Sequence, residues 1–203
     1  FILKYACQYY MYGSTDKDIW RGPGTGFDVY KSDDLDNWSG PIPAFRPPDS
    51  FWGTENFWAP EVYEYENAFY MFASFIGKGY KRGTAILKAE NPEGPFYPHS
   101  QGAVTPKDWM CLDGTFYVDR NKQPWIVFCH EWVQIGDGRI CAARLSDDLT
   151  KMASEPITLF SSTEAHWSTE VYSPSHNRRG YVTDGCYMYR MKNGKLLLLW
   201  SCM

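Results

Sequence analysis

A repeated strand–turn–strand pattern constrains the fold of this chain more than any other feature of its sequence. Each copy holds a predicted strand, a polar turn, and a second strand that is rich in aromatic or aliphatic residues. The four copies span residues 1–14, 59–74, 112–130 and 183–201. They recur roughly every 60 residues, which is typical of β-propellers and other arrays, because one small unit cannot bury its own apolar face.

A second strand pair follows each of the first three copies. These segments align on Ser32, Ala89 and Ser146, where a predicted strand runs into a polar turn. A further strand is predicted to end near residues 41–44, 96–99 and 156–160. Two hairpins per unit make a four-stranded antiparallel sheet, which is a propeller blade. The predicted fold class is therefore an all-β propeller.

The predicted blades occupy approximately residues 1–56, 57–108 and 109–165, and residues 166–203 form an incomplete fourth blade. Propellers close a ring of roughly 4 to 8 blades, and three and a half blades cannot do so. We therefore expect the chain to be a partial propeller from a longer catalytic domain. We interpret residues 160–180 as an insertion between blades.

Composition narrows the range of partners. Aromatic residues make up 18% of the chain, with 9 Trp and 15 Tyr, and exposed aromatic faces suit the apolar faces of sugar rings. The net charge of −4 and the lack of a Lys/Arg run argue against nucleic acid. No apolar run has the length of a transmembrane helix, so no membrane partner is predicted. The oligomeric state is left open.

The six cysteines show no spacing typical of a metal site, and several lie in predicted strands. We interpret them mainly as buried free thiols rather than a disulfide set. The compartment stays open among bacterial secretion, the periplasm and the cytoplasm, with secretion slightly favoured.

Three of the four repeated hairpins carry a carboxylate at or beside the start of their first strand: Glu61, Asp113 and Asp184. In a propeller these strand starts converge on the central axis, so one shared site is predicted. General acid–base hydrolysis needs a proton for the leaving group and an activated water. A neighbouring carboxylate raises the pKa of the acid, because two like charges resist joint ionisation.

Each carboxylate also has a structural interpretation. Asp113 could cap a turn, and Asp184 could serve the common Asp-Gly turn. Glu61 could form an ion pair at the mouth of the propeller. Glu170, in the insertion, is an alternative acid.

Glu61 and four further residues are candidate substrate contacts. Trp58 lies at the inner end of the second blade and could either pack in the core or stack on a sugar ring. His130, Glu131 and Trp132 directly follow the third inner hairpin, where a substrate contact competes with a structural role for the histidine. Their spacing supports no metal site, and no cofactor is predicted.

Three motifs, each opening a repeat unit, carry a family resemblance. They are Trp58-Ala59-Pro60-Glu61-Val62, then Leu112-Asp113-Gly114 with Phe116, and finally Val182-Thr183-Asp184-Gly185. With them, the whole chain resembles glycoside hydrolase family 43, five-bladed propeller enzymes that cleave arabinose- and xylose-containing polysaccharides. The resemblance implies an inverting glycosidase whose substrate is an oligo- or polysaccharide.

The resemblance also implies roles for single residues. Asp113 takes the position of the residue that tunes the pKa of the acid, and Asp184 takes the position of the acid. Asp184 replaces the usual Glu, Cys186 a usual Pro, and Gly114 a common Pro. The general base of the family falls just before Phe1, so we expect the 203 residues alone to be inactive.

Two alternatives remain beside this interpretation. One is a related propeller hydrolase that acts on fructosides, and the other is a non-catalytic carbohydrate-binding propeller. The structural ion found at the centre of some family members would draw on later blades of a full-length domain. The exact sugar and linkage, and endo or exo action, stay undetermined.

Overall fold

The computed structural model describes all residues from Phe1 to Met203. It is built almost entirely of β-strands, with one short helix, α1 (Trp132–Ile135), and a 3-10 turn at Ser162–Glu164. No helix of the structure has the length and apolar character needed to cross a lipid bilayer. The strands are β1 (Ile2–Tyr5), β2 (Gln8–Ser14), β3 (Phe27–Ser32), β4 (Ser39–Phe45), β5 (Glu55–Tyr65), β6 (Ala68–Ile76), β7 (Gly83–Ala89), β8 (Tyr97–Pro98), β9 (Cys111–Val118), β10 (Pro124–His130), β11 (Arg139–Arg144), β12 (Ile157–Ser161), β13 (Val171–Ser173), β14 (Arg178–Gly180), β15 (Asp184–Arg190) and β16 (Leu196–Ser201).

The strands form three four-stranded antiparallel sheets in chain order, β1–β4, β5–β8 and β9–β12. Strands β15 and β16 form the first hairpin of a fourth sheet, and β13 and β14 make a separate hairpin within the predicted insertion. Each complete sheet is one blade. The predicted all-β partial propeller, with three whole blades and part of a fourth, is confirmed.

Strand β6 shows why the blades must stack. Eight of its nine residues are buried, although side chains alternate between the two faces of a strand. Met71 and Phe75 pack into a core shared with the first blade, whereas Tyr70 and Phe72 pack into a core shared with the third. A strand that is apolar on both faces is stable only between two neighbours.

A smaller core, which includes Leu112, Ile140 and Cys186, lies between the third blade and the β15–β16 hairpin. All six cysteines are free thiols: four are buried, Cys202 is half-buried and Cys7 is exposed. Their interpretation as mainly buried free thiols agrees with the structure.

The first strands of the last three blades, β5, β9 and β15, carry a β-bulge at the same place. In each, two residues oppose a single residue of the next strand. We call these pairs the inner bulges; they are Ala59–Pro60, Asp113–Gly114 and Gly185–Cys186. The first residue of each has a positive φ, of 47° at Ala59, 52° at Asp113 and 60° at Gly185.

A positive φ costs a non-glycine residue about 1–2 kcal/mol, so Ala59 and Asp113 are held there by the surrounding structure. Strand β9 contacts both β5 and β15, which brings the inner bulges together near the propeller axis. The three predicted carboxylates occupy different places relative to the bulges. Asp184 comes just before its bulge, Asp113 is the first bulged residue, and Glu61 comes just after.

Candidate active site

Asp113 joins three blades at the axis. Its backbone N–H donates to Ser74 Oγ of the second blade at 3.0 Å. Its Oδ2 accepts the Gly185 N–H of the fourth blade at 2.7 Å, and its carbonyl oxygen accepts Cys186 Sγ–H at 2.9 Å. Burial raises the pKa of Asp113, whereas the Gly185 hydrogen bond and the positive charge of Arg82 oppose that rise. The bulged backbone thus fixes this carboxylate against the next inner bulge.

Asp184 directly precedes the glycine that Asp113 holds, so the two carboxyl groups are neighbours. Its carboxyl group has no hydrogen-bond partner in the protein. The Ser201 hydroxyl donates instead to the backbone oxygen of Asp184. Burial first, and then the negative charges of Asp113 and Glu131, raise the pKa of Asp184 to about 7. A carboxyl group of this kind still carries its proton in weakly acidic solution. Burial has a larger effect than the like charge on which the sequence argument relied.

Arg82 belongs to this site, although no pattern in the sequence predicted a role for it. It is buried, and its Nη1 donates to both carboxylate oxygens of Glu131 at 2.5 and 2.6 Å. Its Nη2 donates to Asn56 Oδ1 at 3.0 Å. The guanidinium lies over the Trp58 ring, 4.3 Å from the ring centroid. Arg82 is therefore the cation that links the predicted contacts Glu131 and Trp58.

Trp58 is also held by the loop of residues 15–26. Its Nε1 donates to the Ile19 carbonyl oxygen at 2.5 Å, and the Trp20 ring meets it edge-on at 5.2 Å. Trp20 is 69% exposed. An exposed aromatic ring beside a buried carboxylate site can stack on a sugar. We identify Trp20 as a candidate contact that sequence reasoning missed, although it lies in a Gly-rich loop of the kind that surrounds binding sites.

Glu61 has a different environment from Asp184. The Tyr63 hydroxyl donates to Glu61 Oε2, and it also lies 2.8 Å from Thr115 Oγ1. Burial raises the pKa of Glu61 to about 7, and the two hydroxyl groups oppose that rise. Glu61 therefore has a partner on the second blade, Tyr63, and one on the third blade, Thr115.

His130 and Trp132 lie on either side of Glu131 in the chain. The His130 ring stacks on Trp109 with centroids 4.1 Å apart, and its Nε2 lies 2.9 Å from Gln134 Oε1. Burial lowers the pKa of His130, which favours the neutral ring. Trp132 begins α1 and is half-buried.

The alternative acid, Glu170, is exposed and forms an ion pair with Arg179 at 3.2 Å. No three or more His, Cys, Asp or Glu side chains are grouped so that they could hold a metal ion.

Comparisons with known proteins identify the family of the chain. A family model described as "Glycosyl hydrolases family 43" matches residues 1–203. The crystal structure of the endo-arabinase from Bacteroides thetaiotaomicron VPI-5482 is 41% identical, with a TM-score of 0.91 over all of this chain and 69% of that chain. A thermostable family-43 glycoside hydrolase, 22% identical, has the same fold with a TM-score of 0.80 over all of this chain and 62% of its own.

A curated relative is the extracellular exo-α-(1→5)-L-arabinofuranosidase of Cellvibrio japonicus (strain Ueda107), which is 29% identical over 152 residues. That match covers 70% of this chain and 39% of the relative, so the chain spans well under half of that protein's length. The family model, in contrast, covers the chain from end to end. This chain belongs to glycosyl hydrolase family 43.

Proposed function

We propose that the protein is an inverting glycosidase that hydrolyses arabinose-containing polysaccharide, with arabinan preferred over xylan. The observation that carries the proposal is the buried carboxyl group of Asp184, which lies beside Asp113 and has its pKa raised to about 7. The choice of arabinan rests on the 41% identity to the Bacteroides endo-arabinase. The Cellvibrio relative is extracellular, which supports export of this protein as well.

In the proposed mechanism, Asp184 donates its proton to the leaving oxygen of the glycosidic bond. Because its pKa is about 7, it holds that proton below neutral pH and can still release it. Asp113 acts on Asp184 in two ways. Its Oδ2 fixes the Gly185 N–H, and its negative charge resists ionisation of Asp184. A general base would activate the attacking water.

Substrate positioning falls to the groups around these carboxylates. Trp58 and Trp20 present aromatic surface on one side of the site, and Arg82 with Glu131 forms a buried ion pair under Trp58. We propose that Trp58 and Trp20 line a sugar subsite. Because the ion pair fixes the Trp58 ring, it sets the geometry of that subsite without needing to touch the sugar.

The test uses the full-length protein with Asp184→Asn and, as a matched control, Glu170→Gln. Asp184→Asn should lose most hydrolysis of arabinan but much less hydrolysis of aryl arabinosides with good leaving groups, since those need little protonation. Glu170→Gln should keep both activities. NMR in the first minutes of reaction should show the product with inverted anomeric configuration.

Full arabinan hydrolysis by the Asp184→Asn protein would mean that the acid lies elsewhere. Binding of arabinan without hydrolysis by the unmodified protein would favour the non-catalytic carbohydrate-binding alternative. Equal rates on arabinan and xylan would remove the proposed preference.

A further inference from the structure

A large cleft has none of the carboxylates of the candidate active site in its lining. Its volume is about 1340 Å³, larger than the roughly 300–1,000 Å³ of common ligand sites. It is formed by the β6–β7 loop, the β8–β9 connection and the β11–β12 loop, so it runs between the second and third blades. We call it the inter-blade cleft. Arg82 lines it and also forms the buried ion pair of the candidate active site.

The charge of this cleft is opposite to that of the molecule. Its lining includes Lys81, Lys107 and Lys151, with Asp108 as the single carboxylate, whereas the whole chain has a net charge of −4. All three lysines are exposed, and none takes part in the four ion pairs of the structure. A cleft lined by one sign of charge concentrates ligands of the opposite sign.

Lys81 and Lys151 lie at opposite ends of the cleft. Lys81 comes just before the start of β7. The carbonyl oxygen of the neighbouring Arg82 accepts the N–H of Cys111, the first residue of β9, so Lys81 lies at the end of the blades where β7 and β9 begin. Lys151 lies at the other end, beyond β11, where Ser146 N–H bonds its carbonyl oxygen. The two ends of the blades are separated by the length of a six-residue strand such as β11, which is roughly 17 Å. The positive charges therefore suit several spaced negative charges rather than one compact anion.

The cleft also offers an aromatic surface. Tyr80 is 61% exposed, and its ring centroid lies 5.6 Å from that of Trp52. Trp52 in turn packs against Phe75, a buried residue of the first core, at 6.1 Å. The Tyr80 ring is therefore an exposed surface backed by rings anchored in the core. Such a surface suits the C–H face of a sugar ring.

We propose that the inter-blade cleft is an accessory binding site for an acidic oligosaccharide, a chain of uronic acid residues. The aromatic surface fits a sugar ring, and the side-chain amide of Gln101 fits its hydroxyl groups. The spaced lysines fit one carboxylate on each of several sugars.

The proposed accessory site has a role separate from the proposed hydrolysis. It would hold an acidic part of a polysaccharide close to the candidate active site, and it would bind that part whether or not the protein cleaves it. Its ligand differs from the neutral arabinose polymer that the carboxylates are proposed to act on. Binding and hydrolysis can therefore be tested separately.

The test measures binding to the full-length protein by isothermal titration calorimetry with three probes. These are hexagalacturonate, cellohexaose as a neutral chain with the same number of pyranose rings, and inorganic phosphate as a compact anion. The variant Lys81→Gln/Lys107→Gln/Lys151→Gln removes the charges of the cleft. Its matched control, Lys17→Gln/Lys122→Gln/Lys192→Gln, removes the same charge from exposed lysines elsewhere.

Hexagalacturonate should bind more tightly than cellohexaose, and more weakly as salt rises. The cleft variant should lose about tenfold in affinity, because each exposed charge contributes a fraction of the binding free energy. The control variant should bind as the unmodified protein does. Tyr80→Ala should weaken binding further, and the cleft variant should hydrolyse neutral arabinan at an unchanged rate.

Equal losses in the cleft and control variants would overturn the proposal, since they would show attraction without a site. Equally tight binding of cellohexaose would remove the role of the carboxylates. Phosphate that competes at the same concentration as hexagalacturonate would indicate a small-anion site instead. Failure to hydrolyse arabinan would refute the proposed function alone.

Discussion

Replacing the candidate acid should make the protein more stable and less active, with a dependence on pH that identifies the cause. The change is Asp184→Asn. The side chain has nearly the same shape, and the carboxyl group that it replaces has no hydrogen-bond partner in the protein to lose. What disappears is the ability of this buried position to ionise.

The magnitude follows from the raised pKa. A carboxyl group whose pKa moves from 3.8 to about 7 on folding makes ionisation ~4 kcal/mol less favourable in the folded state. Because Asp184 keeps some solvent exposure, we reduce this to ~2–3 kcal/mol. Below pH 3.8 the group is protonated in both states, and the folded protein carries no penalty. As the pH rises through 7, the wild-type protein loses that stability, and the asparagine variant does not.

The assay is urea unfolding of both full-length proteins at steps between pH 4 and pH 8. The difference in unfolding free energy should be near zero at pH 4 and reach ~2–3 kcal/mol in favour of the variant above pH 7. Glu170→Gln is the control, because its exposed pair with Arg179 contributes little. A difference that does not change with pH, or a variant less stable at pH 8, would refute the reasoning.

Three other substitutions test the same site. Asp113→Asn removes a negative charge beside Asp184, so the alkaline limb of the kcat/KM profile should move to lower pH. Arg82→Met leaves the buried Glu131 carboxylate unpaired and should lower the unfolding free energy by ~3–5 kcal/mol, whereas Arg82→Lys should recover part of it, as denaturant titration would measure. Trp20→Ala should raise KM for polysaccharide severalfold with little change in Tm, because the ring is 69% exposed.

The blades could be predicted because their contacts are local in sequence. Hairpins such as β5–β6 join neighbouring segments, and their alternating or wholly apolar strands are visible in the residues themselves. The positions of Asp113 and Asp184 followed from the repeat, since equivalent strand starts meet at the axis. The inner bulges were not predictable. Their first residues are Ala59, Asp113 and Gly185, which share a backbone conformation and no side-chain chemistry.

The groups that surround the carboxylates were harder to predict. Arg82 and Glu131 are separated by 49 residues, and a single arginine in a Gly-rich loop forms no pattern that points to its partner. Trp20 reaches Trp58 only because its loop folds back over the second blade. Glu131 was predicted as a substrate contact. In the structure, both oxygens of its carboxylate accept hydrogen bonds from Arg82. Pairings of this kind depend on the ring of blades and not on any one segment.

The charge balance of the site explains when Asp184 would release its proton. Arg82 and Glu131 neutralise each other through two hydrogen bonds, so Asp113 and a protonated Asp184 share one negative charge. Without a substrate, ionisation of Asp184 would add a second negative charge to this buried site, which is unfavourable and is the reason for the raised pKa. During glycoside cleavage the sugar ring develops positive charge. The second negative charge would then form beside a cation, so proton release becomes favourable in the transition state and stays unfavourable before it.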